Sequence, residues 1–444
     1  MVIASAASSQ AARCQILRCP RRVGGWPKPG SEVAGFARPT SQSRAFPGKR
    51  LHMTQPLIAI IGAGPAGLMA AEHLAPIANV QIFDRMAAPA RKFMMAGRGG
   101  LNLTHSEPLD LFLTRYRNAA PSLRKAIQAF PPEALRAWAD QLGAESFVGS
   151  SGRVFPKAMK SSPLLRAWLK RLDALGVHLN TRHDWQGWTA DGALIFTTPE
   201  GPREIRPAAT LLALGGASWP RLGGDGSWQR FFSPGQIAPF QPANMGFVVN
   251  WSDHLRQRFA GQPLKRIAVE FNGERVRGEA VIASWGIEGG AVYALSSQIR
   301  DAMAVHGKVT LTLDLRPDLP ANALPTGGGS KSLSNHLRNA GLSPAAAALV
   351  QEARHAGDTT PLPQLIKALP LRLEAPAGLA RAISSAGGLR WGTVSPQFML
   401  QDRAGTFIAG EMLDWEAPTG GYLLQACFSS GVAAAAGLRK WLGL

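Results

Sequence analysis

Leu57–Asp84 reads LIAIIGAGPAGLMAAEHLAPIANVQIFD. Its first five residues are an unbroken apolar run, which predicts a strand buried on both faces. The run leads into Gly62-Ala63-Gly64-Pro65-Ala66-Gly67, a G-x-G-x-x-G, and then into an apolar helical stretch from Pro65 to about Ala75. Asn79–Phe83 predicts a second strand, closed by Asp84. Gly62 permits the tight turn, Gly64 lets a pyrophosphate reach the backbone, and Gly67 lets helix and strand pack closely. The helix start offers free N–H groups to phosphate oxygens. Asp84 lies 22 positions past Gly62, where a carboxylate can accept hydrogen bonds from a ribose. The ordered unit predicts a dinucleotide site in an α/β fold. It does not by itself separate NAD, NADP and FAD, and Arg85 beside Asp84 hints at NADP.

The whole chain has 444 residues, 45% hydrophobic and 17% charged, which suits two or three domains with a sizeable core. No apolar run reaches bilayer length, so integral membrane association is not expected. Cys14, Cys19 and Cys427 make neither a disulfide framework nor a metal cluster. Cys427, between Ala426 and Phe428, reads as a buried small apolar residue. His178 and His183 are five apart in a strand-like stretch, a poor metal geometry, and no metal is expected.

The formal charge is +19, from 48 Lys and Arg against 29 Asp and Glu. Residues 1–52 hold nine basic residues against Glu32 and lack periodicity. They read as a disordered or non-native extension, with order expected to start at Met53. Without a leader the protein reads as cytoplasmic. A genuine Arg-rich transit peptide would make it organellar. A positive field attracts anions, nucleic acid or acidic lipid. No basic stripe with interleaved aromatics is visible, so nucleic acid is not the expected partner.

Two further glycine-rich stretches stand out. Residues 91–106, RKFMMAGRGGLNLTHS, place Lys92 ahead of Gly97, Gly99 and Gly100, with Asn102, Thr104 and His105 as polar groups. His105 reads as an ordinary polar loop residue. Residues 211–224 carry a short strand into Gly215-Gly216. Near the end, Thr406–Ala409 reads as a strand, followed by Gly410, Glu411, the pair Gly420-Gly421 and a helix over roughly Tyr422–Leu442. This is a second strand–acid–glycine–helix module, whose helix start would stabilise negative charge.

These segments together resemble the BaiN-like, aminoacetone-oxidase family of FAD-binding oxidoreductases. The likeness rests on GAGPAG at 62–67, AGRGGLNLTHSE at 96–107, GRVFPKAMKSSPLL at 152–165, LGGASWPRLGGDG at 214–226 and AGEMLDWEAPTGGYLLQACFSSG at 409–431. It spans residues 56–444. The resemblance implies FAD, with its pyrophosphate on Gly62, Gly64 and Gly67 and its ribose on Asp84. It implies that Glu411 holds the ribityl or phosphate end. It also implies that Gly420, Gly421, Tyr422 and Leu423 bring a helix start to the flavin pyrimidine, with the 97–104 loop along the ring. Pro65, Ala66, Arg85, Lys92, Gly215 and Gly410 complete the expected cofactor set. Many relatives carry a cysteine in the glycine-rich loop, where this chain reads Arg98-Gly99-Gly100-Leu101-Asn102.

The expected architecture is α/β, a two-part Rossmann-like FAD-binding domain over 53–242 and 384–444. An inserted β-rich domain over 243–330 and a small helical subdomain over 331–383 lie between the parts. Asn272-Gly273 predicts a hairpin turn between Ile267–Phe271 and Glu274–Ala283. Lys265, Arg266, Arg275 and Arg277 suit either an anionic substrate or a solvated hairpin face, and Trp285 and Tyr293 either a pocket or the core. In function the chain reads as an oxidoreductase that passes a hydride through flavin N5. The other partner is a small organic substrate or NAD(P)H as a transient donor, since no second G-x-G-x-x-G has strand–helix context. An RNA-modifying flavoenzyme and a non-catalytic FAD binder are the alternatives. No catalytic acid or base is legible.

Overall fold

The structure is a computed structural model that describes residues 55–444, apart from Arg98, Asn118, Gly329 and Lys331. The readings of residues 1–52 and of a start at Met53 lie outside the described residues. Five strands form a parallel sheet: β1 (Leu57–Ile61), β2 (Asn79–Asp84), β3 (His178–Thr181), β4 (Ala209–Leu212) and β5 (Thr406–Ile408), in the order β5-β4-β1-β2-β3. Ile58, Ala59 and Ile60 of β1 are wholly buried, as a central strand covered on both faces requires.

Helix α1 (Pro65–Leu74) follows β1, and the short helix α2 (Arg91–Ala96) follows β2. The last helix, α3 (Tyr422–Trp441), lies against α1. Gly431 makes that approach possible, since a Cβ there would stand 2.4 Å from Ala66 O. The first and last parts of the chain thus complete one α/β unit, with β5 on β4 as the joint.

Between these parts lies a seven-stranded antiparallel sheet with its own apolar core, which includes Phe247, Ile282, Leu313 and Leu371. Its hairpin joins Pro263–Phe271 to Glu274–Ala283. Asn272 and Gly273 take φ of 49° and 81°, the two positive values of a type I′ turn. The stretch expected as a small helical subdomain, 331–383, shares its apolar core with the sheet. Its helices, Leu333–Asn339, Pro344–His355 and Leu362–Lys367, bury Leu337, Leu349 and Leu365 in the same core as the sheet. Leu369–Leu373 then pairs with Val309–Asp314 inside that sheet. Short helices cannot bury an apolar face alone, so they cap the sheet that supplies the other half of the core.

The insert is entered through Ile237–Ala243 and left through Ser384–Leu389, which pair antiparallel with Ala243 opposite Ser384. Asn244 Nδ2 donates to Ser384 Oγ at 2.7 Å and to Ala417 O at 2.8 Å. Arg300, on the insert helix Gly290–His306, donates from two nitrogens to the two Glu416 oxygens at 2.9 Å each. It also reaches Pro242 O at 3.1 Å. Only 9% of the Arg300 side chain is exposed. Removing one partner of such a buried pair leaves the other charge without compensation. Arg300→Met is therefore expected to lower the unfolding free energy by about 3 kcal/mol, measured by urea titration. Glu416→Gln, which keeps an acceptor, should cost clearly less.

Candidate functional site

The turn between β1 and α1 is fixed before any ligand arrives. Gly62 has φ +105°, and a Cβ there would lie 2.3 Å from Ala213 O. Its N–H donates to Phe83 O at 2.8 Å. Gly67 is held as tightly, with Gly62 O 2.0 Å from its would-be Cβ. Gly64 differs, because a Cβ there meets no protein atom within 4 Å. Its lack of a side chain serves the open space in front of α1, whose first turn has no acidic residue and no side-chain cap.

That space is a cavity of about 630 Å³. Of the residues expected from the sequence, Gly62, Gly64, Pro65, Ala66, Asp84, Arg85, Lys92, Gly100, Asn102, Gly215, Gly410, Glu411, Gly420, Gly421 and Leu423 all line it. Gly67, Gly97, Gly99, Thr104 and Tyr422 do not. Gly97 admits the helix Ser161–Ala174, with Ser161 Oγ 2.5 Å from its would-be Cβ. Gly99 is exposed. Thr104 is buried and donates to Gln425 Oε1 at 2.8 Å.

Tyr422 stands in the wall behind Gly421. Its hydroxyl donates to Glu107 Oε1 at 2.6 Å, its ring stacks on His105, and its carbonyl accepts from Tyr116. His105 is therefore part of this wall. Its Nδ1 accepts from the Glu107 N–H, which leaves Nε2 to donate to Ser151 O.

Four charged residues of the cavity wall have protein partners of their own. Asp84 accepts from the Ala63 N–H with one oxygen and from the Met86 N–H with the other, each at 2.8 Å. Burial pushes its carboxyl above the usual range, against the pull of those two donors and of Arg85 and Arg91. Any ribose hydroxyl would share a carboxylate already holding the glycine turn. Arg85, the hint of NADP, is committed elsewhere: it pairs with Asp225 at 2.8 Å and donates to Gly223 O at 2.7 Å. Glu411 is paired with Lys92 at 2.7 Å, and Lys92 also donates to Ser218 Oγ. Two residues of the expected cofactor set, Glu411 and Lys92, are thus one ion pair in the cavity wall.

The Asp84 end is aromatic. His183, Trp185, Trp228 and Phe231 line it, with Trp185 and Phe231 rings 4.7 Å apart. The sequence reading missed Trp185, Trp228 and Phe231, and considered His183 only as a metal ligand. The density of aromatics in Trp185, Trp188, Trp228, Phe231 and Phe232 was the available signal. The other end is formed by Met95, Asn102, Ile383, Thr419, Leu424 and Cys427. Burial, with Glu411 nearby, pushes the Cys427 thiol up, so it stays protonated as a small apolar group.

Two buried side-chain polar atoms lack a partner among the described residues, Asn102 Oδ1 and Trp185 Nε1. Both belong to residues of this cavity, one at each end. Unpaired buried polar atoms are costly and rare. An elongated ligand fits the set: an aromatic slot for a flat heterocycle, a helix start for a diphosphate, and a polar group at the far end. Among the described residues, no group of His, Cys, Asp and Glu could hold a metal ion, and no helix is long and apolar enough to cross a membrane.

The HI0933-like protein Rossmann domain model matches residues 56–437. A 3-dehydro-bile acid delta(4,6)-reductase from Clostridium scindens is 26% identical over 414 residues, 85% of this chain and 97% of that protein. Among solved structures, a 3-ketosteroid-delta4-(5alpha)-dehydrogenase from Rhodococcus jostii RHA1 matches at 14% identity and a TM-score of 0.45, covering 89% of this chain and 99% of that one. A 3-ketosteroid delta1-dehydrogenase from Sterolibacterium denitrificans matches at 12% identity and a TM-score of 0.44, covering 86% and 99%.

Two glycine variants separate cradle from scaffold. Gly64→Val is expected to keep the wild-type thermal midpoint and to lose bound FAD, read as visible flavin absorbance per mole of protein. Gly67→Val is expected to lower the midpoint itself, because its side chain meets the Gly62 carbonyl.

Proposed function

The chain belongs to the HI0933-like Rossmann-domain family, and from that premise we propose an FAD-dependent oxidoreductase that reduces a carbon–carbon double bond conjugated to a carbonyl. The observation that carries the cofactor assignment is the cavity whose two ends hold Asn102 and Trp185, each with an unpartnered buried polar atom. The adenine would lie among Trp185, Trp228 and Phe231. The diphosphate would lie against the Gly64 backbone and the start of α1. The flavin ring would lie between the 100–102 backbone and Gly420-Gly421.

Bound FAD supplies reversible two-electron hydride chemistry. The chain supplies its setting. The Lys92–Glu411 pair would set a fixed charge pair beside the cofactor chain. The start of α3 would offer its free N–H groups to a ring held at Gly420-Gly421, where they would stabilise negative charge. Cys427 adds bulk without charge. The double-bond assignment is supported by the reductase relative, whose name places its action on the 4,6 unsaturation of a 3-oxo bile acid. NADH or NADPH is the proposed transient donor.

The test is the visible spectrum of the purified full chain, followed anaerobically. Oxidised flavin bands near about 370 and 450 nm are expected. Bleaching by NADH or NADPH, and recovery on adding 2-cyclohexen-1-one or a Δ4,6 3-oxo bile acid, are expected next. A colourless protein that FAD does not reconstitute would refute the cofactor reading. Recovery with oxygen but with no enone would refute the substrate class.

A further inference from the structure

One residue of the cavity wall stands in a backbone conformation that its type disfavours. Trp219 lines the cavity with φ 59° and ψ 62°, in the left-handed region. For a bulky side chain that region is an outlier. Glycine would stand there without strain. The same stretch carries glycine at 215, 216, 223, 224 and 226, and Gly215, Gly223 and Gly226 have positive φ. At 219 the chain places an indole instead.

That indole does not serve the core. Among the described residues Trp219 belongs to neither apolar core, and it stays half-buried. Trp185 and Trp228, the other tryptophans of the cavity, are each 4% exposed and pack on Phe231 and Phe232. The left-handed backbone at 219 thus directs its side chain to the cavity and not to the interior.

The strained residue is pinned on both sides. Ser218 Oγ accepts from Lys92 Nζ at 2.9 Å and donates to Ile383 O at 3.2 Å. Trp219 O accepts from the Leu222 N–H at 2.8 Å, and Gly223 O accepts from Arg85 at 2.7 Å. A Cβ on Gly224 would stand 2.5 Å from Ser218 O and 3.3 Å from the Lys92 side chain, so the turn closes tightly against α2. Trp219 lies between two anchors, Lys92 and Arg85, that belong to the two halves of the cavity. Strain of this kind persists where the surroundings over-determine it, and it clusters at ligand clamps.

We propose that Trp219 is such a clamp: its indole closes over the bound dinucleotide and slows its release. This rests on the FAD reading above. A flat aromatic face adds dispersion contact and brings no charge to a site that takes a diphosphate.

The experiment loads the full chain with FAD, dilutes it, and follows the return of free-flavin fluorescence as FAD leaves. Trp219→Asn accepts the left-handed backbone but brings no ring, and is expected to speed release by about 10-fold or more. Trp219→Phe keeps a ring and should release FAD within about threefold of wild type. Without FAD, the thermal midpoint of Trp219→Asn should equal or exceed that of wild type, because strain is relieved and no core contact is lost. Release at the wild-type rate from Trp219→Asn overturns the clamp and leaves the FAD reading standing. A lowered midpoint in the FAD-free Trp219→Asn chain also overturns it, since Trp219 would then be a packing residue. Equal speeding in Trp219→Phe and Trp219→Asn overturns it too, because the ring would then not be what holds the ligand. If wild type takes up no FAD, the cofactor reading falls and the clamp falls with it.

Discussion

The carboxylate of Asp84 holds the Ala63 amide with one oxygen and the Met86 amide with the other. That bridge joins the end of β2 to the turn after β1, where Gly62 lies against Ala213 at the end of β4. Three adjacent strands are locked at their carboxyl ends, which is where an open α/β sheet carries its ligand crevice. The start of α1 is aimed by the same turn. The carboxylate is buried, so its charged form rests on the two amides and on Arg85 and Arg91 close by.

The cavity is a product of chain return. Lys92 comes from α2 in the first part and Glu411 from the segment after β5, 319 positions later. Their ion pair, with Ser218, ties three separate glycine-rich stretches together. An ion pair of this kind contributes little where water screens it and more where it is partly enclosed, as here. Arg85 does similar work at the other end, drawing the 223–225 loop over the aromatic slot.

The insert is a second folding unit with its own core, so its placement depends on a small set of polar contacts. The paired strands at 237–243 and 384–389, the Asn244 amide and the Arg300–Glu416 pair supply them. Glu416 belongs to the loop that leads into Gly420-Gly421. The same ion pair therefore registers the insert against the loop before α3.

The strand–glycine–helix–strand–acid unit, the type I′ hairpin and the two-part nucleotide domain were legible in the sequence, because each rests on local rules. Buried parallel strands are apolar throughout, left-handed turns take glycine, and helix starts follow them. The glycine-rich part of the cavity wall was legible for the same reason, since glycine is required wherever backbone must approach backbone or ligand. Tertiary structure alone decided the rest. Tyr422 went into the wall because Glu107 and His105 wait there. Arg85 closes a loop because Asp225 lies opposite it. Trp185 meets the turn that carries Trp228 and Phe231 because two distant segments converge. The 331–383 helices joined the sheet because neither could bury its apolar face alone. Pairings between residues tens to hundreds of positions apart leave no periodic trace in the chain, and only the fold brings them within a hydrogen bond of each other.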